Sequence, residues 1–273
     1  MPGSIRLFVE TPLAAGSEIA ATPGQAHYLG TVMRRGADDP VRLFNGRDGE
    51  WQGRIAALRR DKATIVALSP LRPQAEEPDL WLVFALLKRD ATDLVVQKAT
   101  ELGVSAVLPV FTERTNAGRA NTARLAAIAV EAAEQSERLT VPAIRDPQKL
   151  PLLLAGWAAE RRLFVAAERA GAPPLSAARL TPVQRPPAGS PAGLPAPHSP
   201  PGSAPLGSAP LGSATLAPAA LLIGPEGGFN AAELDWLRAH AFVTLTSLGP
   251  RILRAETAAI AGLALLQAPV CGG

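Results

Sequence analysis

The chain has 273 residues, 47% hydrophobic and 19% charged, which predicts one large globular domain or two smaller ones. Its net charge of +3 and pI near 9.5 allow an RNA partner without requiring one. The single cysteine, Cys271, excludes an intramolecular disulfide and a cysteine-based metal site, and the three histidines lack ligand spacing, so no bound metal is expected.

Residues 1–73 consist of short alternating runs separated by turn signals. The runs IRLFVE, VRLFNGRDGEWQGRIAAL and KATIVALSP predict strands, with Asn45-Gly46 and Asp48-Gly49 as turns. Together they predict a small β-barrel, which contains the basic excess of the chain. The segment PLRPQAEEP (70–78) is typical of a linker.

From residue 79 the pattern changes to alternating strands and helices. This alternation predicts a mostly parallel sheet covered by helices. The predicted strands are 80–87, 104–111, 162–168, 220–224 and 242–248. The predicted helices are 90–103, which stops at Gly103, 121–139, 230–241 with an Asn230–Glu233 capping box, and 255–268.

Residues 171–218 interrupt this alternation with a stretch rich in Pro, Gly, Ser and Ala that repeats APLGS. Such a composition buries too little side chain to offset its ordering entropy. It predicts a disordered surface insertion between two strands. No apolar run approaches the roughly 18 residues of a membrane span, and the start lacks a signal-peptide pattern, so a cytoplasmic protein without membrane association is expected.

Two glycine-containing loops each follow a predicted strand and precede a helix. They are GPEGGFN (224–230) and LGPRILRAET (248–257). Ligands of open α/β sheets bind at the carboxyl ends of strands, although neither loop is a GxGxxG or P-loop motif. A tight structural turn would explain the first loop alone, and the arginines of the second could be solvated or pair with Glu226 and Glu256. The equivalent positions of the two loops favour a ligand site.

Four segments resemble the motifs of the RsmE family, the small-subunit ribosomal RNA uridine-N3 methyltransferases of the SPOUT superfamily. They are LIGPEGGFNAAEL, LGPRILRAETAAIAGL, QKATELGVSAVLPVFTERT and AAEQSERLTVPAI. IRLFVE and HYLGTVMRRGADDPVRLFNGRDGEW resemble the family's PUA-like RNA-binding barrel. The resemblance covers residues 1–168 and 220–268.

The resemblance implies an α/β protein with a PUA-like β-barrel at 1–73 and a trefoil-knotted SPOUT methyltransferase domain at 79–273. It also implies S-adenosylmethionine-dependent methylation of N3 of a uridine in 16S rRNA. The implied partners are small-subunit ribosomal RNA, or the assembled subunit, and a second copy of the chain in a homodimer.

In the resembling family the glycine-rich turn helps to bind S-adenosylmethionine rather than phosphate. The cofactor carries a sulfonium cation, so a carboxylate in the turn is compatible with binding it. The residues implied to bind the cofactor are Leu222, Gly224, Pro225, Glu226, Gly227, Gly228, Leu248, Gly249, Ile252 and Leu253.

Methylation of N3 requires removal of the imide proton of uracil. Glu226 and Glu256 are the candidate bases, and Arg254 is the candidate stabiliser of the uracil anion. Gln135 and Arg138 are three residues apart on a predicted helix and would share a face, although a solvated helix end explains them as well. The candidate RNA-binding residues are Arg6, Arg34, Arg35, Arg114, Gln135 and Arg138.

Two alternative functions stay open. The same fold could methylate another RNA, such as a tRNA loop. A non-catalytic RNA-binding assembly factor could retain the fold, and it would bind RNA without cofactor. The intact loops at 224–230 and 248–257 favour an active enzyme.

Overall fold

The computed structural model describes residues 5–75, 77–167, 171–179 and 217–268. Its backbone contacts divide the chain into two compact units. The first unit is built from Met1–Glu77, Val96–Gly103 and Ala123–Ala143. The second is built from Pro78–Val95, Val104–Thr122 and Ile144–Gly273.

The first unit contains a curled, mostly antiparallel sheet. Its strands in the described residues are β1 (Arg6–Phe8), β2 (Glu18–Ala20), β3 (Pro40–Phe44), β4 (Glu50–Arg59) and β5 (Lys62–Arg72). They pair in the order β1-β3-β4-β5-β2, with β1 and β3 parallel and the other neighbours antiparallel. Apolar side chains that alternate along the strands, such as Leu7, Leu43 and Ile65, form the core. The predicted N-terminal β-domain is therefore confirmed.

A short helix, α1 (Pro23–His27), follows β2 and continues into one π-helical turn, Tyr28–Val32. The Thr22 hydroxyl accepts a hydrogen bond from the Gln25 N–H at 3.2 Å, which caps the start of α1. This helix has no counterpart in the sequence prediction.

Two longer helices follow the first sheet, α2 (Arg89–Glu101) and α3 (Thr122–Gln135). Gly103 has φ +75° and its N–H donates to the Thr100 carbonyl, so the predicted stop of α2 is confirmed. The predicted end of α3 at residue 139 is wrong, because Glu137 adopts a left-handed φ of +60°. Arg138 therefore does not share a helix face with Gln135.

Glu134 on α3 lies in the first unit, where its carboxylate accepts a hydrogen bond from the Phe8 N–H at 2.9 Å. Burial raises its pKa from 4.5 to about 7, against the opposing effects of the Phe8 N–H and the Arg6 charge. A carboxyl with a raised folded-state pKa stabilises the protein fully below the unfolded value. That contribution is lost as the pH rises through the folded value of about 7.

We therefore expect Glu134→Gln, which keeps the acceptor for the Phe8 N–H, to raise the free energy of unfolding by about 2 to 3 kcal/mol at pH 8. At pH 5 the variant and the parent should be nearly equally stable. Urea unfolding at the two pH values measures the difference. A gain of the same size at both values would show that Glu134 does not titrate in this range.

The second unit contains the mostly parallel sheet. Its strands in the described ranges are β6 (Leu80–Ala85), β7 (Ala106–Phe111), β8 (Ala143–Ile144), β9 (Gln148–Lys149), β10 (Arg162–Ala166), β11 (Ala219–Ile223) and β12 (Val243–Thr246). The order is β12-β10-β11-β6-β7-β8, and β9 also pairs with β7. The neighbours from β12 to β7 all run parallel. The predicted α/β architecture is confirmed.

The helices of this unit flank the sheet and lead into its loops. They are α4 (Leu150–Ala155), α5 (Leu175–Ala178), α6 (Ala231–Arg238) and α7 (Ala255–Gln267). Helix α7 packs closely on β11, because a Cβ at Gly262 would stand only 2.6 Å from Leu221 Cδ2. Packing on its own sheet thus explains the small residues of α7. No helix in the described part of the chain is long and apolar enough to cross a membrane.

The first part of the predicted disordered insertion at 171–218 is ordered, because it contains helix α5. Helix α5 buries Leu175 and Ala178, and the Arg179 guanidinium donates to the Leu265 carbonyl at the end of α7 at 2.7 Å. These contacts offset the ordering entropy and satisfy a free carbonyl at a helix terminus. The disorder prediction is wrong for residues 171–179, and its part from 180 to 216 lies outside the described residues.

Candidate functional site

A cleft of about 190 Å³ lies in the second unit at the carboxyl ends of the central strands. Ala166 and Ala167, at the end of β10, line it together with Ile223 at the end of β11. The loops 224–230 and 248–257 contribute residues to its walls. Both loops therefore reach one site, as their positions after strands predict.

The glycine-rich loop is held in a tight turn. Gly228 has φ +65°, and its N–H donates to the Pro225 carbonyl at 2.8 Å. Residues with a Cβ rarely adopt this left-handed conformation. At Gly224, a Cβ would stand 3.0 Å from the Phe229 ring, which also lines the cleft. A side chain at Gly224 would therefore displace that ring.

The predicted capping box fixes the junction between this loop and α6. Asn230 Oδ1 accepts from the Glu233 N–H at 2.7 Å, and Glu233 Oε2 accepts from the Asn230 N–H at 3.0 Å. Glu233 Oε1 also accepts from the Glu113 N–H at 2.9 Å, in the loop after β7. One carboxylate thus joins two loops at the strand ends, a role that the spacing of the capping box does not predict.

Arg114 follows Glu113 and enters the cleft. Its guanidinium donates to the Gly227 carbonyl at 2.8 Å, and its side chain lines the cleft. The sequence prediction gave Arg114 a role in RNA binding without placing it near the glycine-rich loop. The structure brings the two together.

Most of the residues predicted to bind cofactor line this cleft. They are Gly224, Pro225, Glu226, Gly227, Gly228, Ile252 and Leu253. Leu222 is not among the lining residues, because its side chain is buried in the hydrophobic core of the sheet. Leu248 and Gly249 precede the part of the second loop that reaches the cleft.

Several lining residues were missed by the sequence analysis. They are Ala166, Ala167, Ile223, Phe229, Leu234, Ala255 and Ala258. The end of β10 lies next to β11 in the sheet, and this neighbourhood depends on the strand order, which the sequence does not show. The others are apolar residues that resemble ordinary core positions in the sequence.

The three candidate catalytic residues occupy different positions. Glu226 is exposed and lines the cleft. Arg254 is exposed at the N-cap of α7, between the lining residues Leu253 and Ala255, and its side chain makes no capping hydrogen bond. Glu256 lies in the first turn of α7, outside the cleft lining. The geometry therefore separates the two candidate bases.

Two predicted RNA-binding arginines are corrected. Arg6 is only 6% exposed and its guanidinium is bonded to Glu50 and to carbonyls of the α3 region. Arg138 is 7% exposed, donates to the Thr100 carbonyl at 2.6 Å, and has a pKa lowered by burial. Buried guanidinium groups bonded in this way are not available to phosphate.

The remaining RNA-binding candidates are accessible. Arg34 and Gln135 are exposed, and Arg35 is half-buried. Arg34 has φ +52° in the loop after the π-helical turn, next to Val32, which is 58% exposed. In the described ranges, no group of three or more His, Cys, Asp or Glu could hold a metal ion.

The parallel sheet with a looped cleft at its strand ends and the curled β-domain correspond to two family models, both of RNA methyltransferases. The model of the RNA methyltransferase domain matches residues 75–188 and 202–267. The model of the RNA methyltransferase PUA domain matches residues 22–68.

Individual relatives specify the family further. The chain is 30% identical to ribosomal RNA small subunit methyltransferase E of Synechocystis sp., covering 96% of the chain and 77% of the relative. It is 29% identical to the Rickettsia conorii enzyme of the same name, covering 96% and 94%. The Neisseria gonorrhoeae enzyme of that name, solved with S-adenosyl methionine, has a TM-score of 0.76 and 25% identity over 97% of each chain. The chain therefore belongs to the ribosomal RNA small subunit methyltransferase E family.

Proposed function

We propose that this protein transfers a methyl group from S-adenosylmethionine to N3 of a uridine in small-subunit (16S) ribosomal RNA. The observation that carries the proposal is the cleft at 224–230, which the family's glycine-rich motif forms at the strand ends. The relatives named ribosomal RNA small subunit methyltransferase E, and the one solved with the cofactor, support the same reaction.

The cleft residues fit S-adenosylmethionine. Ile252 and Leu253 offer an apolar wall for the adenine, and Ile252 is 69% exposed and so open to contact. Gly227 is exposed and carries no side chain, so a ligand can approach the backbone of the glycine-rich loop closely. The Glu226 carboxylate is compatible with a cationic sulfur. When bound, the cofactor supplies an electrophilic methyl group.

The chain itself must align the uracil and remove its N3 proton. Glu226, exposed in the cleft, is our choice for the base, ahead of Glu256, which lies outside the lining. The Arg254 guanidinium, exposed at the cleft edge, would stabilise the negative charge that develops on the uracil oxygens. Glu226 would take the N3 proton on a carboxylate oxygen. Bound S-adenosylmethionine would supply the methyl group to N3, with its methyl–sulfur bond breaking to leave the neutral thioether S-adenosylhomocysteine.

RNA binding is assigned to the exposed loop of the first unit that carries Arg34 and Arg35. Exposed cations contact phosphate, whereas the neighbouring Val32 and Met33 offer apolar surface to an unstacked base. We expect Arg34→Ala to weaken binding of small ribosomal subunits and to lower the slope of log K against log salt by about 1.

Filter binding at several salt concentrations measures this slope. Arg60→Ala, which removes an exposed arginine from the turn between β4 and β5, is the matched control. Equal effects of the two variants would mean that the loop at Arg34 has no special role.

Three further properties are proposed on the family resemblance. We propose that the methyltransferase domain is knotted, that the protein acts as a homodimer, and that it acts in the cytoplasm, where ribosomal subunits are assembled. The position of β11 between β6 and β10, although it follows both in sequence, supports a threaded chain. Light scattering of the purified protein tests the dimer directly.

The decisive experiment is methyl transfer from labelled S-adenosylmethionine to small subunits isolated from a strain that lacks this protein. Mass spectrometry of the digested RNA should identify N3-methyluridine. Cofactor binding without transfer would indicate another RNA substrate. RNA binding without cofactor binding would indicate an assembly factor without catalytic activity.

A further inference from the structure

A second cleft, of about 500 Å³, lies in the second unit beside the cofactor cleft. Three segments line it: Phe111–Glu113 at the end of β7, Lys149–Pro151 at the start of α4, and residues of Asn230–Trp236 on α6. We propose that this second cleft binds an unstacked nucleotide of the substrate RNA next to the methylated uridine. The inference rests on the proposed function and adds a substrate subsite to it.

The two clefts share a wall one chain thick. Glu113 lines the second cleft and Arg114 the first, and likewise Glu233 lines the second and Leu234 the first. In the same way, Phe229 lines the first cleft and Asn230 lines the second. An occupant of the second cleft would therefore lie next to the first cleft, where a nucleotide joined to the target uridine could reach it.

The shared wall is fixed by hydrogen bonds. The Glu233 carboxylate accepts from the backbone N–H groups of Glu113 at 2.9 Å and Asn230 at 3.0 Å. Both carboxylate oxygens of Glu233 thus accept hydrogen bonds from backbone N–H groups of the wall. These bonds reduce the repulsion between its negative charge and the phosphate of a bound nucleotide. These hydrogen bonds hold the shared wall of the second cleft in place, and small-ligand sites are usually largely preformed.

The lining chemistry suits a nucleotide. Phe111 and Trp236 are half-buried aromatic side chains in the cleft wall, and base–aromatic stacking is the usual way to hold an unstacked base. An edge-on contact between Trp236 and His240, with ring centroids 4.8 Å apart, fixes the indole. Lys149 is exposed at the cleft, and the described part of the chain gives it no ion pair, so its ammonium is available to a phosphate.

Filling the cleft tests the proposal without touching the cofactor site. Ala232 is exposed and lines the second cleft, whereas Ala231 is exposed and does not. We expect Ala232→Trp to raise the KM for small subunits about tenfold, the size of one lost stacking contact. The Kd for S-adenosylmethionine, measured by calorimetry, should stay unchanged. Ala231→Trp is the matched control and should keep the parent KM.

A second variant tests the phosphate contact. Lys149→Ala should weaken subunit binding and lower the slope of log K against log salt by about 1. Lys98→Ala, which removes a lysine paired with Glu101 on α2, should have no such effect.

The parent enzyme, assayed in parallel for methylation, tests the proposed function separately. If the parent methylates and Ala232→Trp keeps the KM of Ala231→Trp, the subsite is refuted. A change in oligomeric mass caused by Ala232→Trp would also overturn it, because the cleft would then be an interface between copies.

Discussion

Replacing Arg6 by Ala is expected to lower the free energy of unfolding by about 3 to 5 kcal/mol, the usual cost of breaking a buried ion pair. Arg6 Nε donates to Glu50 Oε1 at 2.6 Å, and the Glu50 side chain is 1% exposed. The other nitrogens donate to carbonyls of Ala133 and Arg138 at 2.8 and 2.6 Å. Without Arg6 these acceptors lose their donors and Glu50 loses its most buried partner.

Urea unfolding measures this loss, and Arg42→Ala is its control. Arg42 also faces Glu50, but at 3.7 Å and with 36% of its side chain exposed, so its removal should cost less than about 1 kcal/mol. Glu50 keeps a lowered pKa in the parent protein because, although burial raises it, hydrogen bonds from Arg6 and Arg72 lower it further. Equal losses in the free energy of unfolding for the two variants would show that burial of the Arg6–Glu50 pair does not make it more stabilising than the exposed pair.

Arg6 also shows where the sequence misleads. A lone arginine in an alternating strand has the same pattern whether it faces solvent or a buried carboxylate. Its partners, Glu50 and the carbonyls near the end of α3, lie 44 to 132 residues away in the chain. Sequence periodicity places a side chain on one face of a strand, but it does not show what packs against that face.

Local signals were more reliable than distant ones. The Asn230–Glu233 capping box and the stop at Gly103 were predicted, because each depends on residues within one helical turn. The end of α3 was predicted too late, since nothing in the sequence marks Glu137 as left-handed. Helix α5 was missed because its stability depends on contacts with the end of α7 rather than on its own composition.

The candidate site follows the same division. Residues 224–228 of the first loop and 252–253 of the second were predicted to bind one ligand, and both stretches line the same cleft. Leu222, only two residues before the loop, is instead a core residue of β11. Arg114 lies in the cleft although it follows β7, a strand other than those that precede the two loops. Its position depends on the strand order of the sheet, which the sequence does not show.

Replacing Glu226 by Gln is expected to reduce kcat for methylation of small subunits by about 10²- to 10⁴-fold, the usual contribution of a general base. Glutamine has nearly the same shape but cannot accept the N3 proton. Because Glu226 is exposed and neither of its neighbours in the turn depends on its carboxylate for a hydrogen bond in the described residues, the fold should be unaffected. Single-turnover methylation with saturating cofactor measures the chemical step.

Glu256→Gln is the control that distinguishes loss of the proposed base, Glu226, from loss of any other nearby carboxylate. Glu256 lies outside the cleft lining in the first turn of α7, where a negative charge favours the helix terminus, so its loss should cost only about 0.3–1 kcal/mol of stability and leave kcat nearly unchanged. A large loss of kcat in Glu256→Gln with a small loss in Glu226→Gln would reverse the assignment. If neither variant loses activity, the imide proton must leave to solvent, and stabilisation of the uracil anion by Arg254 would become the main catalytic contribution of the chain.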